Sequence, residues 1–210
     1  MRVLVPELLD SLDPEDPDAL RSRRDLRRLD GLLGGSRWIV RSARCHVTAS
    51  RSGFVDLGAG EGFLCSRLAR EFPGCAVTGL DFSPAPAGRN FHWVRGDFLK
   101  TLGGAQGGIA VGSLILHHFS QAQLGELGAA LQKFRVLLFS EPWRCRLPLA
   151  LSFFSRPLVG RVTKHDMPAS IRAGFCRGEL AGLLGLHTKE WKVKESLGLP
   201  GTIRFHAWRD

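Results

Sequence analysis

FVDLGAGEGFLCSRLAR, Phe54–Arg70, joins a short apolar run to three alternating glycines and then to an amphipathic segment. Phe54 to Leu57 read as a buried strand. After Gly58, Gly60 and Gly62 the spacing predicts a helix with Phe63, Leu64, Leu68 and Phe72 on its inner side. A strand that ends in a glycine turn and opens a helix is the first unit of an open parallel sheet. Ligands of such sheets collect beyond the carboxyl ends of the strands. Glycines there permit positive φ and let a ligand lie on the backbone, while the first helical N–H groups point at it.

The spacing discriminates among ligands. A nucleoside triphosphate loop needs G-x-x-x-x-G-K-[ST], and no Lys-Ser/Thr follows. A dinucleotide loop needs its third glycine at position 63, where Phe63 stands and its bulk hinders close helix–strand packing. Asp56 below the loop would repel a pyrophosphate but suits a cofactor that carries an amino group.

Outward from this stretch, short apolar runs alternate with longer amphipathic ones. CAVTGLD, NFHWVRGD, GIAVGSLIL and RVLLFSE read as the second to fifth strands. SQAQLGELGAALQKF reads as a helix capped by Ser120 and weakened by Gly125 and Gly128. After an irregular stretch, RGELAGLLG makes a short helix. HTKEWKVKESL and GTIRFHAWR form a closing pair of strands. Residues 6–33 read as one or two helices broken at DPEDPD. The alternation implies an α/β fold: seven strands, mostly parallel, with helices on both faces and an antiparallel hairpin at one edge. Residues 1–50 are a helical extension or lid, and 51–210 a single globular unit.

At 210 residues, with 44% hydrophobic and 23% charged residues, the chain can bury a full core. No apolar run is long enough to cross a bilayer. The acidic start interrupts any signal-peptide core, which argues against secretion. Five cysteines without a C-x-x-C pair point to free thiols in a reducing, cytoplasmic setting. The net charge of +9 raises the question of a nucleic-acid partner. Its main concentration, RSRRDLRR, falls among helically spaced Leu26, Leu29 and Leu33 and reads as a solvated helix face, so nucleic acid is not the favoured partner.

The motifs in chain order resemble the class I S-adenosylmethionine-dependent methyltransferases, whose first motif is hydrophobic–hydrophobic–Asp/Glu–x–G-x-G-x-G. The resemblance implies a Rossmann-like sheet and S-adenosyl-L-methionine as cofactor. It places Asp56, Gly58, Ala59, Gly60 and Gly62 at the cofactor. Asp81, nineteen residues after Gly62, would hold the ribose hydroxyls with Phe82 beside it. Asp97, followed by Phe98, would accept from the adenine amino group. LHHF after the fourth strand resembles the turn of small-molecule members. The N-terminal segment, SEPWR and HDMPASIRAGFCRGEL resemble a bacterial subgroup acting on quinones and small aromatic natural products. Two departures stand out. FSPAPAGRN is too short for the usual helix after the second strand, and Gly108 replaces the acidic residue that commonly begins the fourth.

The expected reaction is methyl transfer to oxygen or carbon of a small aromatic, lipophilic or quinone-like acceptor. His118, His117 and His165 are the candidate bases, His118 foremost, because a phenol must lose its proton to react. His165 beside Asp166 can orient a hydroxyl, and Arg144 and Arg172 can meet an acidic substituent. RLPLALSFFSRPLVG is either a hydrophobic lid or a helix packed on the sheet. No neighbour of the His117–His118 pair completes a ligand set, so no metal is expected. The alternatives are an RNA or DNA methyltransferase, disfavoured because [DN]-P-P-[FYW] is absent where LHHF stands, and a catalytically silent cofactor-binding scaffold.

Overall fold

The computed structural model describes residues 1–186, 189–198 and 200–209. Seven strands form one sheet: β1 (Phe54–Leu57), β2 (Val77–Asp81), β3 (His92–Arg95), β4 (Ile109–Ser113), β5 (Val136–Pro142), β6 (Lys192–Gly198) and β7 (Thr202–Trp208). Their spatial order is β3-β2-β1-β4-β5-β7-β6. β1 to β5 are mutually parallel, and β7 runs antiparallel to both β5 and β6. The expected edge hairpin therefore forms, with the reversed strand β7 one place in from the edge. His187 and Thr188, which the sequence reading assigns to that hairpin, lie outside the described residues.

Helices cover both faces. Between the N-terminus and β1 come α1 (Pro17–Leu33), α2 (Gly35–Ala43) and α3 (Val47–Arg51). The sheet's crossovers hold α4 (Phe63–Glu71), α5 (Phe98–Thr101) and α6 (Gln121–Leu131). α7 (Arg146–Phe154), α8 (Arg161–Ala173) and α9 (Glu179–Leu183) lie between β5 and β6. Strand alternation sorts the core into two layers. Val55, Leu57, Ala110, Leu137 and Phe139 face one cluster with Leu124, Leu127 and Leu180. Phe54, Ile109, Val111 and Leu138 face the other with Ile39, Val40, Leu64 and Leu68.

The elements follow their local chemistry. Asp16 caps α1 through the Asp18 amide, and Gly34 ends it in the left-handed region at φ 68°. Ser120 and Gln123 form a full capping box on α6, worth about 1 kcal/mol. Gly128, the weak point expected in α6, lets the backbone of Leu184 approach to where a Cβ would stand. No helix forms between β2 and β3, as the short proline-containing segment required.

Three local expectations change. Phe63 faces outward at 53% exposure, under the Arg27 guanidinium at 5.1 Å, while Cys65 takes the buried place in α4. The stretch read as irregular contains α8, which runs through Pro168. α7 is a regular helix that packs on α8 and leaves Leu147, Leu151, Phe153 and Phe154 exposed.

Candidate functional site

β1 sits between β2 and β4, where the strand order reverses, and the glycine loop leaves its carboxyl end. Gly58, Gly60 and Gly62 have φ of 64°, 55° and 75°. A Cβ at Gly58 would stand 2.4 Å from Ile115, and one at Gly62 2.6 Å from Phe91. At Gly60 nothing lies within 4 Å. The outer two glycines thus let protein close on the loop, and the middle one faces an open space that suits a ligand laid on its backbone.

The carboxylate of Asp81 joins that loop to the turn after β2. It accepts from the Gly60 amide at 2.8 Å on Oδ2 and from the Ser83 amide at 2.8 Å on Oδ1. Each oxygen keeps a lone pair for a further donor, so the residue has capacity for ribose hydroxyls. Phe82 beside it is 65% exposed. Asp97 caps α5 through the Leu99 amide at 3.0 Å using Oδ1. Its neighbour Phe98 is a core residue, packed edge-on to Phe119 at 5.1 Å. Ala59, within the loop, is buried.

Asp56 does not open to the surface. It is fully buried, accepts from the Cys65 thiol at 3.2 Å, and is pushed up to about 7 by desolvation, partly offset by that bond and reinforced by Asp81. Burial and the adjacent Asp56 hold Cys65 as a neutral thiol.

Beyond β4, Leu114 is the one non-glycine residue with positive φ among the described residues, at 58°. Such strain concentrates at functional turns. Here it swings the chain into a 3-10 turn, Leu116–His118. Glu141, wholly buried at the end of β5, fixes that turn. It accepts from the amides of Ile115, Leu116 and His117 at 3.0, 2.9 and 3.3 Å, and pairs with His117 Nδ1 at 2.9 Å.

The N-terminal segment crosses this turn. Arg2 donates to the carbonyls of Ala173 and His117, and the Leu8 and Leu9 amides donate to Asp166. Glu7 Oε1 stands 3.5 Å from His117 Nε2, and Asp10 Oδ2 stands 3.7 Å from His118 Nδ1. Burial disfavours charge on His117, but its bond to Glu141 and the nearby Glu7 carboxylate outweigh it and raise the imidazole to about 9. Burial and the neighbouring His117 lower His118 below the usual histidine range. The His118 side chain keeps 29% exposure against 3% for His117.

His165 projects from α8, about half exposed, with Nδ1 on Asp166 at 2.9 Å. Because Asp166 is committed to two backbone amides, that pair reads as a structural anchor. Arg144 is tied to Glu179 and the Gly174 carbonyl, and Arg172 is exposed. The sequence reading did not single out Glu141 or Glu7. An acidic residue closing the otherwise apolar RVLLFSE was the available signal for Glu141. Nothing local marks Glu7, and with it the fold brings a third metal-capable group to the histidines, which corrects the ground on which no metal was expected.

The seven-stranded sheet of this order, with a glycine loop at its switch point, has a fold similar to that of solved methyltransferase structures. No protein-family model and no curated protein matches the chain. Among solved structures, the pyocyanin biosynthetic protein PhzM is similar at TM-score 0.65 and 21% identity, covering 98% of this chain and 62% of its own. The plantazolicin methyltransferase BpumL, in complex with a monoazolic desmethylPZN analog and SAH, is similar at 0.68 and 13%, covering 93% and 91%. Human N-acetylserotonin methyltransferase in complex with SAM is similar at 0.61 and 16%, covering 95% and 61%. The chain thus spans about three fifths of the first and third of these proteins.

Proposed function

We propose that the protein is an S-adenosylmethionine-dependent methyltransferase acting on oxygen or carbon of a small aromatic or quinone-like acceptor in the cytoplasm. The observation that carries this reading is the Gly60–Asp81 bond, which couples an open glycine loop to a carboxylate with spare acceptor capacity. The naming of BpumL and human N-acetylserotonin methyltransferase as methyltransferases, with SAH or SAM bound, supports it.

When bound, the cofactor supplies an electrophilic methyl group on a sulfonium. The loop at Gly58–Gly62 would hold its aminoacyl part, Asp81 the sugar hydroxyls and Asp97 Oδ2 the purine amine. Asp56 sets the loop from below through α4. His118, uncharged and partly open, would take the acceptor's proton as the acceptor receives the methyl group that the bound cofactor supplies. The Glu141-bound His117 holds the turn so that His118 is presented. Residues 1–50 form the extension whose first stretch, Arg2 to Asp10, roofs the turn and excludes water.

Titration of purified protein with S-adenosylmethionine tests the reading directly. Micromolar binding that Asp81→Ala weakens at least tenfold is expected. An unchanged affinity in the variant removes the site assignment.

A further inference from the structure

We propose that Glu7, His117 and His118 form a binding site for one divalent cation of the zinc type. Carboxylate and imidazole donors from these residues all lie within 4.8 Å of one another. The Glu7 Oε1 to His117 Nε2 separation of 3.5 Å is close to the about 3.4 Å between two ligands of a tetrahedral zinc ion. The two imidazoles lie tilted against each other, 4.2 Å between centroids and 37° between planes.

Two further observations point to a ligand. His117 Nε2 is wholly buried and has no hydrogen-bond partner, and it is directed at Glu7. Its other nitrogen is held by Glu141 at 2.9 Å, the carboxylate–histidine support that orients imidazole ligands and fixes their free nitrogen. Ser170 in turn donates to Glu7. Asp10, 3.7 Å from His118, is within reach as a further oxygen donor. A chain with net charge +9 thus gathers Glu7, Asp10, Glu141 and Asp166 around two histidines. The nitrogen and carboxylate donors suit zinc, and also cobalt(II) as its spectroscopic substitute.

The consequence for activity rests on the proposed methyl transfer. A cation there occupies the His118 lone pair, so the metal-loaded form cannot use that nitrogen as base, and zinc inhibits.

The test is calorimetric titration of chelator-treated protein with Zn2+, with Co2+ absorption in parallel. Binding of one ion at micromolar affinity or tighter is expected, with intense visible bands showing four-coordinate cobalt. Glu7→Gln, a conservative change on the N-terminal segment, should weaken binding at least tenfold. His206→Ala removes the His46–His206 pair on another part of the fold, and should leave binding intact. No binding at 1:1, or binding indifferent to Glu7→Gln, or binding lost only in His206→Ala, overturns the site. Titration of the same metal-free sample with S-adenosylmethionine reports on the transferase reading separately, so either can fail alone.

Discussion

The Gly60 amide donates to Asp81 Oδ2 at 2.8 Å across 21 residues of sequence. This single bond links the loop after β1 to the turn after β2 and orients both toward one open space. Asp81→Asn keeps an acceptor oxygen but loses the charge and one acceptor. Charge-assisted bonds contribute about 1.5–3 kcal/mol each, so cofactor affinity should fall roughly tenfold or more in Asp81→Asn, and further in Asp81→Ala. Calorimetry on both variants checks the ranking. Equal affinities would mean that the carboxylate serves the loop alone.

Gly60→Val separates ligand space from folding space. The site has no protein atom within 4 Å of a Cβ, so the folded protein loses only the cost of a side chain at φ 55°, about 1–2 kcal/mol. Cofactor binding should instead be lost to below measurable affinity. Gly58→Ala should show the opposite balance, because its Cβ meets Ile115 at 2.4 Å. Paired thermal melts and titrations read the contrast.

Glu141 saturates three backbone amides and His117 without solvent contact. Glu141→Ala strands those donors in the interior, at about 1–3 kcal/mol for each left unpaired. A large drop in melting temperature is expected, whereas Glu141→Gln should recover part of it. His118→Ala should leave both stability and cofactor affinity near those of the parent and lower turnover by about 10²–10⁴-fold. Normal turnover would remove His118 from the reaction.

These residues differ in how far the sequence disclosed them. The turn positions of Gly58 to Gly62, Asp81 and Asp97 were legible because each lies at the end of a short apolar strand, within a few residues of it. The Ser120 cap and the missing helix at FSPAPAGRN were equally local. Phe63 was misread because apolar periodicity cannot register that Arg27, 36 positions earlier, covers its ring in place of the core. α8 was hidden by Pro168, a helix breaker by propensity that the packing of α1 and α7 on this helix overrides. Glu7 was illegible for a stronger reason. Its partner His117 is 110 residues distant, and only the path of the N-terminal segment over α8 brings them together. The His165–Asp166 pair shows the converse: adjacent in sequence and suggestive, it is spent on anchoring Leu8 and Leu9.

A buried and a half-buried group give stability pH signatures of opposite sign. Desolvation raises Asp56 to about 7, so the folded protein holds more protons than the unfolded chain between about pH 4 and 7. Stability from this group is therefore present below pH 4 and lost as pH rises through 7. His206 is depressed to about 4 by burial, with the charges of His46 and Lys194 adding to it. The unfolded chain then holds more protons between about pH 4 and 6.5, and this group's contribution is lost as pH falls through 4. The two slopes oppose one another over the same window. Asp56→Asn should thus leave the His206 slope exposed, with melting temperature rising from pH 4 to 6.5, above which the raised His117 makes it decline. His206→Gln should do the reverse, leaving a decline from pH 4 to 7. Melting curves of the two variants across this range, compared with the parent, test the assignment. Parallel profiles in both variants would show that neither group titrates where its burial places it.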